Sequence, residues 1–298
     1  MQTDIYNSRL GLLREKLSIL PDKTEETPDN TLKALWSTAA GNPVSVIQAN
    51  DIVPTVLSDL QIKTLDELLA KRIQGIPLAY LTGRQSFMGL VMLTRNDALI
   101  PRKETEILAT TAIAIANKYL PATITVIDTC TGAGNIALAI ASHCPHAHVL
   151  ASDLSEQAAI LARENAEHLG LAARVTFFSG DLLAPFNTPD LQGKVSLLTC
   201  NPPYISSAKV TDMPAEISSH EPRLAFDGGA FGINLIKRLV SEADSLLSAT
   251  GTLVFEVGFG QAVMIKKLVE KTGLYTQVDT VNDTAGHPRV IIARKSRI

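Results

Sequence analysis

The sequence predicts an α/β protein: a doubly wound, seven-stranded sheet joined to a small helical N-terminal domain through a β-hairpin. Three observations carry this. From Thr123 onward, short apolar runs alternate with helical stretches, the pattern of parallel strands with crossover helices. Before residue 80 the apolar residues recur at helical spacing instead. Between these regions lies a glycine-punctuated segment of β character.

The 298-residue chain is long enough for one large domain or two smaller ones. Its net charge of −3 gives no general attraction to nucleic acid or anionic membranes. The apolar runs end well short of a membrane span, and the N-terminus has no signal-peptide pattern. Three cysteines, Cys130, Cys144 and Cys200, are odd in number and widely spaced. They argue against a disulfide framework and for a cytoplasmic protein.

In the first 80 residues, Leu10, Leu13, Leu17 and Leu20 mark a helix over Ser8–Leu20. The charged stretch Pro21–Asn30 reads as a loop. Further helices are expected at Thr31–Ala40, Val44–Ala49 and Thr64–Gln74, the last with Thr64 and Glu67 spaced as a capping box. No catalytic constellation occurs here, so residues 1–80 are expected to recognise a partner. Residues 81–100 read as a hairpin linker, with strands at Leu90–Leu93 and Ala98–Ile100 and a turn near Arg95-Asn96-Asp97. Residues 101–298 form the catalytic domain. A helix opens at Glu104-Thr105-Glu106 and runs to about Tyr119, its acids favourable with the helix dipole. Arg102 and Glu104 also stand where they can edge a ligand pocket.

Strands are expected at Thr123–Asp128, His148–Ser152, Arg174–Ser179, Lys194–Cys200, Gly251–Val257, Tyr275–Thr280 and Arg289–Ala293. Helices are expected at Gly134–His143, Glu156–Leu169, Phe231–Leu247 and Gln261–Lys271. No helix separates the last two strands, so they form an antiparallel hairpin at the sheet edge.

The first strand ends at Asp128 and runs into Thr131-Gly132-Ala133-Gly134-Asn135, where glycine lets the backbone turn sharply and a ligand come close. The second ends in Asp153-Leu154, with an acid placed to accept both hydroxyls of a ribose. The third leads to Asp181-Leu182, where an adenine amino group can be met. The spacing also satisfies a nicotinamide dinucleotide fingerprint, which makes a dehydrogenase the rival reading. Asp128 opposes it, because an acid there repels a pyrophosphate and suits a cationic ligand end such as that of S-adenosylmethionine.

The fourth strand stops at Asn201-Pro202-Pro203-Tyr204. Neither proline donates a backbone hydrogen bond, so the chain must leave the sheet. The plain structural reading is a loop opener. The functional reading is a cradle for a planar nitrogen substrate. The Asn201 side-chain oxygen and the Pro202 carbonyl accept its two hydrogens, and Tyr204 packs on its plane. That presents the nitrogen for methyl transfer. His143, His146 and His148 span a helix end, a turn and a strand start, so no metal site is expected. A non-catalytic binding module is the remaining class; it would bind partners without turning over a cofactor.

Together these residues resemble the protein-(glutamine-N5) methyltransferases, the HemK/PrmC family of class I methyltransferases. The resemblance rests on Phe87-x-Gly89, Pro101-Arg-Lys-Glu-Thr-Glu106, the Asp128–Gly134 loop, Asp153 and Asn201-Pro-Pro-Tyr204. Glu221-Pro222, Gly228-Gly229 and Gly286-His-Pro-Arg289 extend it. It implies a class I methyltransferase fold, S-adenosylmethionine as cofactor, and methylation of the Gly-Gly-Gln glutamine of peptide chain release factors. By resemblance, Asn201 and Pro202 hold the amide, Asp153 binds the ribose, and the glycine loop and Arg102 edge the cofactor. Two positions depart from the family: Cys130 replaces a usual glycine, and Phe231 an aspartate often found after the paired glycines. The alternative acceptor is a small metabolite bearing an amide, amine or guanidinium.

Overall fold

The computed structural model describes residues 2–229 and 233–295. The chain begins with α1 (Gln2–Lys16), α2 (Pro28–Ala39), α3 (Val46–Ala49), α4 (Asp59–Ile73) and α5 (Leu78–Thr82). These helices share a core of Leu13, Leu32, Leu35, Trp36 and Leu65. Their boundaries correct several expectations. Helix α1 covers Gln2–Lys16 rather than Ser8–Leu20. Helix α2 starts at Pro28, where Thr27 caps the Asn30 N–H and proline fills the first turn. The capping box of α4 is Ser58 with Gln61, not Thr64 with Glu67. Thr64 lies within the helix and donates back to the Leu60 carbonyl.

The hairpin pairs β1 (Arg84–Phe87) with β2 (Leu90–Leu93). Its turn is Met88-Gly89, not Arg95-Asn96-Asp97. Both turn residues have positive φ, 49° and 78°, as a type I′ turn requires. Met88 is an unusual residue for that conformation, which hid the turn from the sequence pattern. The Glu106 carboxylate compensates by accepting the Met88 N–H at 2.8 Å.

Next come α6 (Glu106–Ala116), β3 (Ile124–Thr129), α7 (Asn135–His143), β4 (Ala147–Asp153), α8 (Glu156–His168), β5 (Val175–Ser179) and β6 (Val195–Cys200). Two short helices follow, α9 (Ser207–Val210) and α10 (Ala215–Ser218), neither expected from the sequence. The chain closes with α11 (Asn234–Leu246), β7 (Leu247–Glu256), α12 (Ala262–Lys271), β8 (Gln277–Asn282) and β9 (Pro288–Arg294). The expected helix start at Phe231 lies outside the described residues.

The seven strands take the order β5-β4-β3-β6-β7-β9-β8. Six of these strands run in one direction, and β9 runs antiparallel between β7 and β8. The final hairpin therefore inserts its last strand toward the sheet centre and leaves β8 at the edge. One apolar layer includes Leu108, Ile136, Ile140, Val126 and Leu197. The other includes Ile127, Leu198, Leu239, Val240 and Ile265. Strand order reverses between β3 and β6, so the ends of β3, β4 and β6 open onto one crevice, the usual ligand position in such sheets. Among the described residues no helix is long and apolar enough to cross a membrane.

A buried ionic cluster ties the first helices to the segment after Tyr204. Arg72 meets Glu26 at 2.7 Å and Glu216 at 2.9 Å, and Lys23 meets Glu216 at 2.5 Å. Burial pushes the Glu216 carboxyl upward, but Lys23 and Arg72 outweigh it and hold it below the usual range. Arg72→Met leaves two carboxylates with less compensation, so unfolding stability should fall by about 3–5 kcal/mol. Urea unfolding measures this; a change below about 0.5 kcal/mol would contradict a structural role for the cluster.

Candidate active site

The crevice divides into two joined pockets. Arg102, Thr131, Gly132, Asn135, Asp153, Leu154, Asp181, Leu182 and Asn201 line the first. Glu104, Pro202, Tyr204, Glu256 and Arg289 line the second. Leu99, Arg102, Thr105, Asn201 and Pro203 belong to both walls, so Asn201 stands at the junction.

The first pocket grows from the loop after β3. Gly132 has φ 55°, and a Cβ there would meet nothing within 4 Å, so the backbone faces open space. Gly134 has φ 85° and stands under the loop, where an added Cβ would meet Ala162 Cβ at 3.1 Å. Gly134 thus permits close packing of α8 rather than lining the pocket. Asp153 is held from both sides: Oδ2 accepts the Gly132 N–H at 2.8 Å and Oδ1 the Ser155 N–H at 2.9 Å. Burial raises its pKa, while the N–H groups of Ser155, Gly132 and Leu154 pull it down.

Asp128 is fully buried behind the pocket wall. Its carboxylate accepts from Thr131 Oγ1 at 2.6 Å and Thr199 Oγ1 at 2.7 Å. The expected contact with a cationic ligand end is corrected accordingly: Asp128 anchors the loop that carries Thr131. Burial pushes its pKa up to about 6, against the opposing pull of Thr131, Thr199 and the Ala137 N–H. Glu104 is likewise displaced from its expected place, lining the second pocket instead of the first. Asp181 lines the first pocket and pairs with Arg238 at 3.0 Å. Cys130 adopts φ 57°, a left-handed conformation that favours glycine, so its side chain is carried at a conformational cost.

The second pocket grows from the break after β6. Asn201 Nδ2 donates to Thr105 Oγ1 at 3.2 Å. Thr105 is buried at the start of α6, and its hydroxyl makes no cap bond there. Glu256 is buried at the end of β7. Burial raises its pKa, and the Thr105 hydroxyl, Tyr204 and Arg289 oppose that rise. Thr105 Oγ1 turns a lone pair toward Asn201, on the wall that Glu256 also lines. One of the two Asn201 Nδ2 hydrogens is engaged by Thr105, and Oδ1 remains as the acceptor of the amide. Tyr204 donates to Glu256 Oε1 at 2.9 Å, and Gln261 Nε2 donates to the Tyr204 carbonyl at 3.0 Å. Burial, then Glu256, raises the Tyr204 phenol above its ordinary pKa.

Several residues that build the site were not singled out from the sequence as site residues. Glu221 is fully buried; it pairs with Arg102 and accepts the Ile100 N–H at 3.1 Å, linking two walls. Asn165 on α8 accepts the Leu93 N–H and donates to the Leu93 and Ala133 carbonyls. It joins the hairpin to the glycine loop, and a lone helical asparagine carries no pattern that signals this. Glu256 had a signal, being an acid that ends an apolar strand on the ligand side of the sheet. The histidines have ordinary partners: His143 meets the Ala139 carbonyl and His146 the Ala116 carbonyl.

A sheet of this order, with ligand pockets at the ends of β3, β4 and β6, defines the class I methyltransferase fold. A family model, "Methyltransferase small domain", matches residues 105–231. A release factor glutamine methyltransferase of Moorella thermoacetica is 41% identical over 76% of this chain and 78% of its own. One of Rhodopirellula baltica is 32% identical over 96% of each chain. The solved human methyltransferase 10 domain containing protein shares the fold, with a TM-score of 0.52 and 14% identity over 70% of this chain and 90% of its own. The chain belongs to the release factor glutamine methyltransferase family.

Two variants test this geometry. Asp128 ionises at about 4 when unfolded and near 6 when folded. Between those values the folded state keeps a proton that the unfolded state has lost, so stability falls as pH rises, by up to about 3 kcal/mol in total. Asp128→Asn lacks this slope. Its stability relative to the wild type should improve from pH 4 to 6 and level off above; parallel curves would contradict the buried charge. Thr105→Val frees the Asn201 amide to rotate. Turnover should fall roughly 10- to 100-fold, the range for a lost positioning contact, with cofactor affinity unchanged by calorimetry. Unchanged turnover would show that Thr105 does not orient Asn201.

Proposed function

We propose that Asn201 and Pro202 hold the side-chain amide of a release-factor glutamine at the pocket junction for N-methylation. The observation that carries this reading is the commitment of Asn201 Nδ2 to Thr105, which leaves Oδ1 as an acceptor between the two pockets. With Oδ1 and the Pro202 carbonyl accepting both N–H bonds, the nitrogen is fixed in orientation. An amide nitrogen is a weak nucleophile, and positive charge grows on it during attack. Two aligned acceptors stabilise that charge as it forms. Tyr204, anchored by Glu256 and Gln261, packs beside the amide plane.

The methyl donor is S-adenosylmethionine, which supplies an electrophilic sulfonium methyl group. The first pocket fits it. Asp153 offers an anchored carboxylate for ribose hydroxyls, and Gly132 leaves room for close approach. Leu154 and Leu182 would supply apolar surface, and Asp181 would accept from an adenine amino group. Thr131, Asn135 and Arg102 complete the wall, while Asp128 and Gly134 act from behind it. Residues 1–80 receive the release factor, residues 81–100 link, and residues 101–298 carry the chemistry. The three free cysteines fit a cytoplasmic setting.

The test is transfer of label from S-adenosylmethionine to purified bacterial release factors, beside a panel of free amino acids. Label on the Gly-Gly-Gln glutamine is expected; label only on a small molecule would overturn the proposed acceptor. Asn201→Ala should lower turnover by roughly 100-fold or more and leave cofactor affinity intact. Asp153→Ala should weaken cofactor binding by about 1–3 kcal/mol, the range for lost charged hydrogen bonds. Equal loss of both properties in the first variant, or unchanged affinity in the second, would refute those roles.

A further inference from the structure

We propose that Cys130 and Cys200 form a modification site, at which a peroxide joins the two thiols in a disulfide and weakens cofactor binding. This rests on the placing of S-adenosylmethionine in the first pocket, and adds a means of turning that pocket off. Thr129 lies directly opposite Cys200 in the parallel ladder of β3 and β6, and Cys130 is the next residue along. With adjacent strands about 4.8 Å apart and successive Cα atoms about 3.8 Å apart, the two cysteine Cα atoms are separated by about 6 Å. That is within the span of a disulfide.

The two side chains also share a face. An extended residue after Thr129 would point to the opposite side of the sheet. Cys130 instead has φ 57°, and it packs against the apolar layer that contains Cys200. The left-handed conformation, costly for residues other than glycine, brings this thiol round to its neighbour. The two thiols interact: after burial, Cys130 is the largest influence on Cys200, and both push the Cys200 thiol well above its ordinary pKa.

Access picks out which sulfur reacts first. Cys144 and Cys200 are fully buried, whereas Cys130 is half-buried and lines the first pocket. The Cys130 sulfur attacks one peroxide oxygen; the O–O bond breaks, leaving a sulfenic acid and a water. The Cys200 sulfur then attacks the sulfenic sulfur. The S–S bond forms, the S–O bond breaks, and the hydroxyl leaves with the Cys200 proton as a second water. Two thiols lose two electrons and the peroxide gains them. Cys144 packs in the other apolar layer and is left as a thiol.

A disulfide of about 2.05 Å is far shorter than any non-bonded contact, so one sulfur has to move. Cys200 is held by ladder partners on both sides, Thr129 and Phe255. The moving part is therefore the loop that carries Cys130. In that loop Thr131 bonds Asp128, and the Gly132 N–H bonds Asp153 Oδ2 at 2.8 Å. Drawing Cys130 inward disturbs both bonds and the pocket wall they hold.

The test exposes the full-length enzyme to hydrogen peroxide, then removes it with catalase. Free thiols counted in denaturant should fall from three to one, and peptide mapping should find Cys130 joined to Cys200. Affinity for S-adenosylhomocysteine by calorimetry should fall at least tenfold and return on treatment with dithiothreitol, which methionine oxidation would not allow. Saturating S-adenosylhomocysteine during exposure should slow the thiol loss severalfold, because Cys130 is part of the wall it covers. Cys144→Ala should respond as the wild type does. Cys130→Gly, compared with its own untreated sample, should keep both remaining thiols and an unchanged affinity.

A thiol count that stays at three, a link that involves Cys144, or a linked protein with unaltered affinity would overturn the inference. So would loss that dithiothreitol does not reverse, thiol loss that bound S-adenosylhomocysteine does not slow, or an equal loss of affinity in Cys130→Gly. If Cys130→Gly does not fold, the mapped link and the recovery of the wild type decide. Failure of the untreated, reduced enzyme to bind S-adenosylhomocysteine would instead remove the reading of the first pocket, and this inference with it.

Discussion

Strand β6 has to stop at Cys200, because the next residues are Asn201 and two prolines without backbone N–H groups. Most of the site depends on that stop. The preceding strand is buried and paired with β3 and β7, so Asn201 leaves a rigid platform rather than a loop tip. The prolines fix the path of the chain, which aims the Pro202 carbonyl without help from a ladder bond. A flexible exit would place the same groups nearby but not in one direction. For transfer to a poor nucleophile, direction matters more than proximity.

Around that exit the structure spends buried charge on orientation. Glu256 at the end of β7 holds Tyr204, while Thr105 beside it holds the Asn201 amide nitrogen. Asp128 at the end of β3 does a parallel task for the cofactor loop through Thr131 and Thr199. Glu221 does a third for Arg102 and Ile100. Each is a carboxylate almost removed from water, and the fold tolerates it because hydroxyls, N–H groups or a guanidinium replace the lost solvent. Isolated, such groups would neutralise or unfold the site; networked, they fix it.

The sheet was legible because strand ends are marked chemically. Asp128, Asp153 and Asn201 each end an apolar run, and all three strand positions hold within a residue or two. The ligand crevice follows from those ends and the order reversal. What stayed hidden falls into two kinds. The Met88-Gly89 turn and the Ser58–Gln61 cap are masked by stronger-looking signals close by, Arg95-Asn96-Asp97 and Thr64–Glu67. The partners of the site, Thr105 to Asn201 and Asn165 to Leu93, are separated by 96 and 72 positions. Such pairs arise only when the sheet brings distant segments together, and no local pattern encodes them. Asp128 shows the remaining gap: its position was read correctly, but whether its side chain faces ligand or loop depends on neighbours that sequence spacing does not place.

The proposed chemistry depends on the Asn201 amide, whose nitrogen is held by Thr105. The most direct measurement is a crystal structure of the enzyme with S-adenosylhomocysteine and a Gly-Gly-Gln peptide. The glutamine nitrogen is expected within about 2.7–3.2 Å of both Asn201 Oδ1 and the Pro202 carbonyl oxygen, the range of ordinary hydrogen bonds. A glutamine nitrogen held by other groups, or an Asn201 amide turned so that Nδ2 faces the peptide, would contradict it.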